Sequence, residues 1–339
     1  MKLLIVGGGG REHAIAWKLS QSPRVSRIYA APGNAGIAEL GECVPLAATD
    51  FDGLIRFAQE KRIDLVVVAP DDPLALGLVD RLEAVGIPAF GPTAAAARIE
   101  SSKAFSKSLM RQAGIPTADY QVVTTLSDAL AAIDTVDLPV VVKADGLALG
   151  KGVIIARTRS EAVAAVTDMM EHDRFGKAGH TIILETCLSG PELTVLAFTD
   201  GKTIRPMRSS RDHKRAFDHD LGPNTGGMGA VSPGAELSAM QWKDLQQTVF
   251  QPTIDALRAM GCPFKGVIYF GLMLTEDGPR VIEYNARFGD PEAQAVLPLL
   301  KTDLLEIFEA VIDERLDQME IEWSDQASCC VVAASGGYP

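Results

Sequence analysis

The sequence predicts a mixed α/β fold that begins with a parallel sheet covered by helices. Between Lys2 and about Gly91, short apolar runs such as LLIV and IDLVVVA alternate with segments of helical periodicity. Such alternation is typical of βαβ units, whose parallel strands are covered by helices. The end of the second run is apolar at consecutive positions, as expected for a strand buried on both faces. Residues 1–101 are therefore predicted to form a Rossmann-like domain.

The rest of the chain is predicted to form two further α+β units. Residues 102–188 begin with a helical bridge and continue with strands such as LPVVVKA and TIILE. Residues 189–322 supply the strands ELTVLAF, GVIYFGLML and PRVIEYN, and a long helix around Leu237 to Met260. The final segment, 323–339, stops just after an apolar strand in CCVVAASGGYP. We therefore expect the start of an incomplete C-terminal domain, whose remainder is truncated or absent.

The composition excludes several classes of partner. The 339 residues contain 32 Lys plus Arg against 44 Asp plus Glu, and a formal net charge of −12 disfavours a nucleic-acid partner. Five cysteines without a C-x-x-C pair predict neither a disulfide framework nor a zinc site. No apolar run reaches the roughly 18 residues of a membrane span, and the first run is too short for a signal peptide. We expect a cytoplasmic, monomeric protein without a membrane partner.

A run of glycines, Gly7 to Gly10, separates the first strand from a helix. Their amides and the helix N-terminus form a potential anion site, for example for a phosphate. The dinucleotide fingerprint G-x-G-x-x-G is incomplete, because Glu12 replaces its third glycine and the second strand does not end in an acid. NAD binding by a dehydrogenase is thus disfavoured, and a tight turn without a ligand is the other interpretation.

The string VVVKADGLALGKGV, residues 140–153, places Lys143 at the end of a buried strand. An unpaired ammonium there costs several kcal/mol, so we expect an anionic partner such as a phosphate. The following turn, Gly146 to Gly152, includes Lys151 and is rich in amides that could close over phosphates. It does not match the Walker A pattern. A hairpin with a structural lysine is an equally good interpretation of this motif alone.

Two acidic residues flank a turn in ILETCLSGPE, residues 183–192. Glu185 ends a predicted strand and Glu192 follows the turn. Taken alone they are typical of a solvated acid pair. Their position between two units also makes them candidates for contacts to an adenine amine and ribose hydroxyls.

The string VIEYNARFGDPEAQ, residues 281–294, predicts a metal site. Glu283 and Asn285 lie two residues apart on a strand and so project from the same face. Two oxygen ligands suit Mg²⁺, which typically takes one or two carboxylates together with nucleotide phosphates. Arg287 follows them, and a plain salt bridge is the alternative.

The stretch RSSRDHKRAFDHDLGPNTGGMGA, residues 208–230, is dense in charged residues and ends in glycines. We predict a long loop without secondary structure. Such loops in compact domains are usually functional or disordered, although this one is polar enough to be simply solvated. No catalytic triad order is evident around its histidines.

These strings together closely resemble one family. In the order GGGGREHA, APGN, Lys103, VVKADGLALGKGV, DHKRAFDHDLGPNTGGMGA and GLMLTEDGPRVIEYNARFGDPEAQ, they are similar to the glycinamide ribonucleotide synthetase (phosphoribosylamine-glycine ligase) family of the ATP-grasp superfamily. The resemblance covers essentially the whole chain. It implies that residues 102–188 are the linker helix and lid subdomain of an ATP-grasp domain, and residues 189–322 its large subdomain. It also implies that ATP, glycine and 5-phosphoribosylamine give glycinamide ribonucleotide, ADP and phosphate through a glycyl phosphate.

The resemblance also implies a role for individual residues. ATP is contacted by phosphate-binding lysines, a mobile loop and an adenine and ribose segment: Lys103, Lys143, Gly150, Lys151, Gly152, Glu185, Cys187, Leu188 and Glu192. Mg²⁺, or Mn²⁺, is bound by Glu283 and Asn285. Catalytic roles fall to Arg287, Asp212 and Lys143. Glycine and phosphoribosylamine are contacted by Gly8, Gly9, Gly10, Arg11, Pro32, Gly33, Asn34, Asp212, Asn224, Gly226, Gly227, Met228, Gly229, Arg287 and Asp290.

Some positions depart from the family pattern. Arg211 stands where a Gln is common, His219 replaces a Gly, and Thr186 and Pro191 replace acids in the adenine segment. None of these removes a group assigned to catalysis, but Pro191 puts the ribose contact of Glu192 in question. Two other classes stay open: an ATP-grasp ligase for another acid and amine, and a nucleotide-binding protein without catalysis.

Overall fold

The computed structural model describes residues 1–147, 152–172 and 176–339. Its first sheet has five parallel strands in the order β3-β2-β1-β4-β5. The strands are β1 (Lys2–Gly7), β2 (Arg27–Pro32), β3 (Glu42–Cys43), β4 (Leu65–Val68) and β5 (Ala89–Phe90). The helices between them are α1 (Gly10–Ser20), α2 (Phe51–Lys61), α3 (Asp71–Ala75) and α4 (Leu78–Ala84). This strand order confirms the Rossmann-like prediction.

Two helices lead into a second, antiparallel sheet. They are α5 (Ala94–Ser101) and α6 (Lys103–Ala113). The Ser102 hydroxyl caps α6 by accepting from the Phe105 amide at 3.1 Å, and Gly114, at φ +66°, ends it. The sheet has the order β6-β9-β7-β8. Its members are β6 (Tyr120–Val123), β7 (Val140–Ala144), β8 (Val153–Ala156) and β9 (Ile182–Thr186), covered by α7 (Leu126–Ile133) and α8 (Arg159–Met170).

The third unit is built on an antiparallel sheet in the order β11-β10-β16-β17. These strands are β10 (Glu192–Asp200), β11 (Ile204–Pro206), β16 (Lys265–Thr275) and β17 (Gly278–Asn285). The predicted long helix comprises α9 (Ala239–Leu245) and α10 (Gln251–Ala259), joined by a π-helical turn, Gln246–Phe250. Two short helices, α11 (Glu292–Val296) and α12 (Leu304–Ile312), complete the unit.

The prediction of a structureless loop over residues 208–230 is wrong. This stretch forms β12 (Arg211–Asp212), a hairpin of β13 (Arg215–Phe217) and β14 (Leu221–Asn224), and β15 (Gly229–Ser232). Polar residues there pair through backbone hydrogen bonds, which hydrophobic periodicity does not register. His219 has φ 60° and ψ 30°, a left-handed conformation that explains a glycine at this position in the resembling family. The last strand, β18 (Ser328–Val331), pairs with β15.

The hydrophobic cores show which units are packed as one. Leu4 and Val6 of β1 share a core with Phe270 and Tyr284, while Leu3 and Ile5 on the other face share one with residues of β10 and α12. The N-terminal sheet and the large subdomain are thus packed together on both faces of the sheet. The antiparallel sheet of residues 120–186 has a separate core with α7 and α8, as a lid needs.

Within the described residues, no helix is both long and apolar enough to cross a bilayer.

Candidate active site

The glycine turn after β1 is held by contacts from three directions. The Gly9 amide donates to Glu12 Oε2 at 2.5 Å, and the Arg11 amide donates to Asp290 Oδ2 at 3.2 Å. Asn34 Nδ2 donates to the carbonyls of Gly8 and Gly9 at 3.0 and 3.2 Å. The turn therefore brings together residues 8–11, 32–34 and 290, which are predicted to bind the substrates.

The glycines in this turn have a packing role. A Cβ on Gly8 would lie 2.6 Å from the Gly33 carbonyl oxygen, so only glycine permits the close approach. Two of the amides that could have held a phosphate, those of Gly9 and Arg11, already have carboxylate acceptors. The Arg11 guanidinium is likewise engaged, at 2.7 Å from Glu12 and 3.0 Å from the Phe288 carbonyl. Substrate binding by this turn stays a prediction.

The glycines of the β14–β15 connection pack against the same corner. Gly227, at φ +117°, leaves no room for a Cβ, which would lie 2.4 Å from Pro291 Cδ. The Met228 amide donates to the His213 carbonyl at 2.7 Å. Asn224 pairs with Arg215 across the hairpin. The predicted residues 226–229 therefore lie beside Asp290.

Lys143 has the anionic partner that its burial predicts. Its Nζ lies 3.0 Å from Glu185 Oε2, and the Lys143 and Glu185 side chains are 5% and 4% exposed. A second lysine, Lys107 on α6, approaches the same oxygen at 3.0 Å. Burial lowers the pKa of Lys107 to about 8, although Glu185 opposes this. No sequence motif points to Lys107, whose one signal is its position four residues after Lys103 on the same helix face.

Lys103 connects the start of α6 to the loop after β7. Its Nζ donates to the Gly146 carbonyl at 2.8 Å, and the Asp145 carboxylate accepts from the Ala104 amide at 3.0 Å. Burial lowers the pKa of Lys103. Gly152 is buried, and its carbonyl accepts from the Ala144 amide at 2.9 Å. Gly150 and Lys151 lie outside the described residues.

The segment predicted to contact adenine begins within β9 and continues past its end. The Glu185 side chain, near the end of β9, is buried. Cys187 and Leu188 are half-buried, and the Glu192 side chain is 49% exposed. Glu192 Oε2 lies 3.3 Å from Lys214 Nζ. Lys214 is also 3.8 Å from Asp212, and burial raises the pKa of Asp212 despite this neighbour. Lys214 thus lies between Glu192, which is predicted to contact the ribose, and Asp212, which is predicted to contact a substrate.

The predicted metal ligands lie at the end of β17 among positive charges. Burial acts to raise the pKa of Glu283, but nearby cations outweigh burial and lower it, so the carboxylate is ionised. These cations are Lys214, Lys143, Lys103 and Arg287. Asn285 forms hydrogen bonds to Glu100 Oε1 at 2.9 Å and to the Tyr284 carbonyl at 3.3 Å when its amide nitrogen faces them. Its amide oxygen then remains available to a cation.

A buried carboxylate that the sequence analysis missed organises this strand end. Glu100, the penultimate residue of α5, accepts from the Ala286 amide at 2.7 Å and pairs with Arg287 Nη2 at 2.8 Å. Arg287 Nη1 donates to the Phe288 carbonyl at 3.2 Å, while its buried Nε has no partner in the part of the chain that the structure describes. Glu100 is 186 residues from Ala286 in sequence, so no local pattern identifies the contact.

Comparison with known proteins agrees with this arrangement along the whole chain. The family model described as phosphoribosylglycinamide synthetase, N domain, matches residues 1–100, and the model of its ATP-grasp (A) domain matches residues 101–293. The chain belongs to the phosphoribosylglycinamide synthetase family. The phosphoribosylamine--glycine ligase of Halalkalibacterium halodurans is 48% identical over 339 residues, which is 100% of this chain and 79% of the relative.

Two further relatives bear on the extent of the match. The trifunctional purine biosynthetic protein adenosine-3 of Gallus gallus is 50% identical over 342 residues, which cover 100% of this chain and 34% of that protein. The crystal structure of the phosphoribosylamine--glycine ligase of Thermotoga maritima superposes with a TM-score of 0.86 at 31% identity, over 100% of this chain and 82% of that one. The two-part ATP-grasp architecture expected from the sequence is thereby confirmed. The residue roles and domain boundaries stay predictions.

Proposed function

We propose that this chain ligates glycine to 5-phosphoribosylamine with ATP, giving glycinamide ribonucleotide, ADP and phosphate in purine biosynthesis. The feature that carries this function is the set of four cations, Lys103, Lys143, Lys214 and Arg287, near Glu283, which together lower the pKa of its carboxyl although desolvation acts to raise it. An excess of fixed cations around one carboxylate suits a triphosphate whose terminal group is being transferred. The family match over the whole chain supports glycine and phosphoribosylamine as the two substrates to be joined.

The chemistry requires activation of the glycine carboxylate. A carboxylate is a poor acylating agent, and its phosphorylation creates a good leaving group. A glycine carboxylate oxygen attacks the γ-phosphorus, the bond to the β,γ-bridging oxygen breaks, and ADP leaves. The amine of phosphoribosylamine then attacks the glycyl carbonyl carbon, and phosphate departs with the carboxylate oxygen. Because glycyl phosphate hydrolyses, the site must exclude water, which a separately packed lid can do by closing.

Lys103, Lys143 and Arg287 are the groups proposed to neutralise charge on the phosphates. They reach the cleft from α6, β7 and the end of β17, so the γ-phosphoryl group would be met from several sides. The Nε of Arg287 is a buried donor for which the described residues provide no acceptor. A buried orphan donor costs free energy that an anionic ligand would recover. Arg287 is therefore the residue proposed to contact the transferring group.

Glu283 and Asn285 fit a divalent cation, Mg²⁺ or Mn²⁺. An ionised carboxylate and an amide oxygen are hard donors, and further ligands would come from phosphate oxygens and water. Among the described residues, no group of three or more His, Cys, Asp or Glu is arranged to bind a metal. This agrees with a site that depends on the nucleotide to complete its ligand set. When bound, the cation would neutralise charge on the β- and γ-phosphates.

The remaining assignments divide the cleft between nucleotide and substrates. Glu185, Cys187 and Leu188 are proposed to contact the adenine, and Glu192 the ribose. The corner where the turn of residues 8–11, Asp290 and residues 226–229 meet is proposed to bind phosphoribosylamine and glycine, with Asp212 on the glycine side. A cytoplasmic location and a monomeric state stay predictions.

An assay of the three substrates tests the function directly. ADP release and formation of glycinamide ribonucleotide should both require glycine and freshly prepared phosphoribosylamine. Replacement of glycine by alanine or of phosphoribosylamine by ammonia should abolish the authentic product. Product formed equally well from another acid and amine would contradict the proposed substrates.

Isotope transfer tests the intermediate. With ¹⁸O in the glycine carboxylate, each phosphate released should carry one labelled oxygen, measured by mass spectrometry or ³¹P NMR. Unlabelled phosphate formed alongside authentic glycinamide ribonucleotide would exclude a glycyl phosphate.

A further inference from the structure

Lys107 is a buried cation for which the proposed reaction has no direct use. It lies on α6, and its side chain is 2% exposed. Lysine almost never occupies such a position without a partner, because desolvation of the ammonium is costly. Its partner is Glu185 Oε2, at 3.0 Å.

The Glu185 carboxylate is used asymmetrically. Lys107 and Lys143 both approach Oε2, each at 3.0 Å. The other oxygen, Oε1, is buried and has no hydrogen-bond partner within residues 1–147, 152–172 and 176–339. A buried carboxylate oxygen without a donor is destabilising, so Oε1 is the acceptor that a ligand would satisfy.

Lys107 is itself anchored from a third element. Its Nζ donates to Thr117 Oγ1 at 2.8 Å, and the Thr117 hydroxyl donates to the Val281 carbonyl at 2.7 Å. The ammonium also lies 5.6 Å from the centre of the Tyr120 ring, in cation–π range. Tyr120 is the register partner of Glu185 between β6 and β9. These contacts join α6, the lid sheet and the strand β17 that bears Glu283.

We propose that Lys107 is a positioning residue that fixes Glu185 so that Oε1 faces the exocyclic amine of adenine, which makes the site select ATP over GTP. The proposal rests on the adenine contact of Glu185 in the proposed function. Adenine carries a donor at its 6-position, whereas guanine carries an oxygen there. A fixed carboxylate oxygen accepts from the first and repels the second.

Lys143 cannot perform this task alone. In the proposed function it binds the nucleotide phosphates, which compete with Glu185 for its ammonium. Lys107 has no such competitor, and Thr117 keeps its ammonium in place. Without Lys107, the Glu185 carboxylate would lose its permanent counter-charge when ATP binds and would be free to turn.

The test is the affinity of the protein for ADP and for GDP, measured by calorimetry on four proteins: the unsubstituted chain, Lys107→Met, Thr117→Val and Lys18→Met. Lys18 is the matched control, since it is also a buried lysine but is bonded to the Leu300 carbonyl at a distance from the lid. Thermal unfolding monitored by circular dichroism reports whether each variant is folded. Thr117→Val decides the question if Lys107→Met does not fold.

The unsubstituted chain and Lys18→Met should prefer ADP. Lys107→Met should lower the ratio of ADP affinity to GDP affinity by roughly tenfold or more, and Thr117→Val by about threefold. An unchanged ratio in the folded variants would overturn the proposal, as would equal weakening of both nucleotides or the absence of any preference in the unsubstituted chain. Because these measurements need no turnover, they are separate from the ligase assay, whose failure would instead remove the proposed function.

Discussion

Two carboxylates in this molecule each lie between two lysines, one at the surface and one buried. Glu314 pairs with Lys202 through Oε2 at 2.5 Å and with Lys265 through Oε1 at 2.9 Å, and these side chains are 33–59% exposed. Glu185 is contacted by both of its lysines at one oxygen, and its other oxygen has no partner among the residues that the structure describes. The surface cluster satisfies itself, whereas the buried cluster leaves one acceptor unsatisfied.

The difference separates an ion cluster whose charged groups are all paired from one that leaves an acceptor open, as a ligand site requires. Surface pairs are screened by water and salt and contribute little. Buried pairs carry a desolvation cost, and an unsatisfied oxygen adds to it. Glu100 shows that burial alone is not the signal, since it is buried yet both of its oxygens have partners. What sets Glu185 apart is a buried carboxylate oxygen, Oε1, that has no partner among the described residues.

The largest effect is expected where the most cations surround one carboxylate. Glu283→Gln should lower the rate of glycinamide ribonucleotide formation by at least about a hundredfold, because a bound cation and its charge stabilisation are worth several kcal/mol. The circular dichroism spectrum should not change. Glu276→Gln, in the exposed turn between β16 and β17, is the control and should retain activity. Full activity of Glu283→Gln at saturating Mg²⁺ would contradict the metal assignment.

Glu100→Gln tests the satisfied buried carboxylate. It leaves Arg287 without its counter-charge, so the free energy of unfolding should fall by about 3 kcal/mol and kcat by about tenfold. The affinity for ADP should stay unchanged, since Glu100 contacts Ala286 and Arg287 and none of the residues proposed to bind adenine or ribose. The control is Glu309→Gln, which removes a surface carboxylate paired with Arg24 at 2.6 Å. If Glu100→Gln lowered the affinity for ADP but neither the free energy of unfolding nor kcat, the satisfied carboxylate Glu100 would not differ in role from Glu185.

Lys143→Met tests the cation that the buried cluster shares with the nucleotide. The affinity for ATP should fall by about 1–3 kcal/mol, the value of a charge-assisted hydrogen bond. Lys107 should keep Glu185 paired, so the lid should remain folded. Calorimetric titration with ATP checks this against Lys202→Met, which removes a lysine of the surface cluster. An unchanged dissociation constant would return Lys143 to a purely structural role.

The smallest effect is expected in the surface cluster. Hydrogen bonds from Lys202 and Lys265 lower the pKa of Glu314 to about 2. A carboxyl whose pKa is depressed in the folded state stabilises above its unfolded pKa, and the contribution is lost as pH falls from about 4.5 towards 2. Solvent exposure discounts it, so Glu314→Gln should lower Tm at pH 7 by no more than about 2 °C. The difference in Tm between Glu314→Gln and the unsubstituted chain should vanish near pH 2. A Tm difference larger at pH 2 than at pH 7 would contradict the expected sign.

Much of the fold follows from local pattern. The Rossmann-like sheet, the strand ending in Lys143 and the helix of residues 239–259 each have a period or an apolar run that specifies them. The hairpin of β13 and β14 has neither. Its strands mix exposed apolar residues, Phe217 and Leu221, with polar ones, and they pair by backbone hydrogen bonds with a left-handed His219 at the turn. Periodicity reports burial, so an exposed hairpin is read as a loop.

The sequence by itself determined the class of the fold and the family, because these depend on residue type and short spacing. The burial of Lys143 even required an anionic partner, since an isolated ammonium in the interior is too costly. Only the tertiary structure decided that the partner is Glu185, that Lys107 shares it and that Glu100 holds Arg287 and Ala286. Electroneutrality in a buried site demands a counter-charge without specifying which residue supplies it, and that choice depends on distances between elements that lie far apart in the chain.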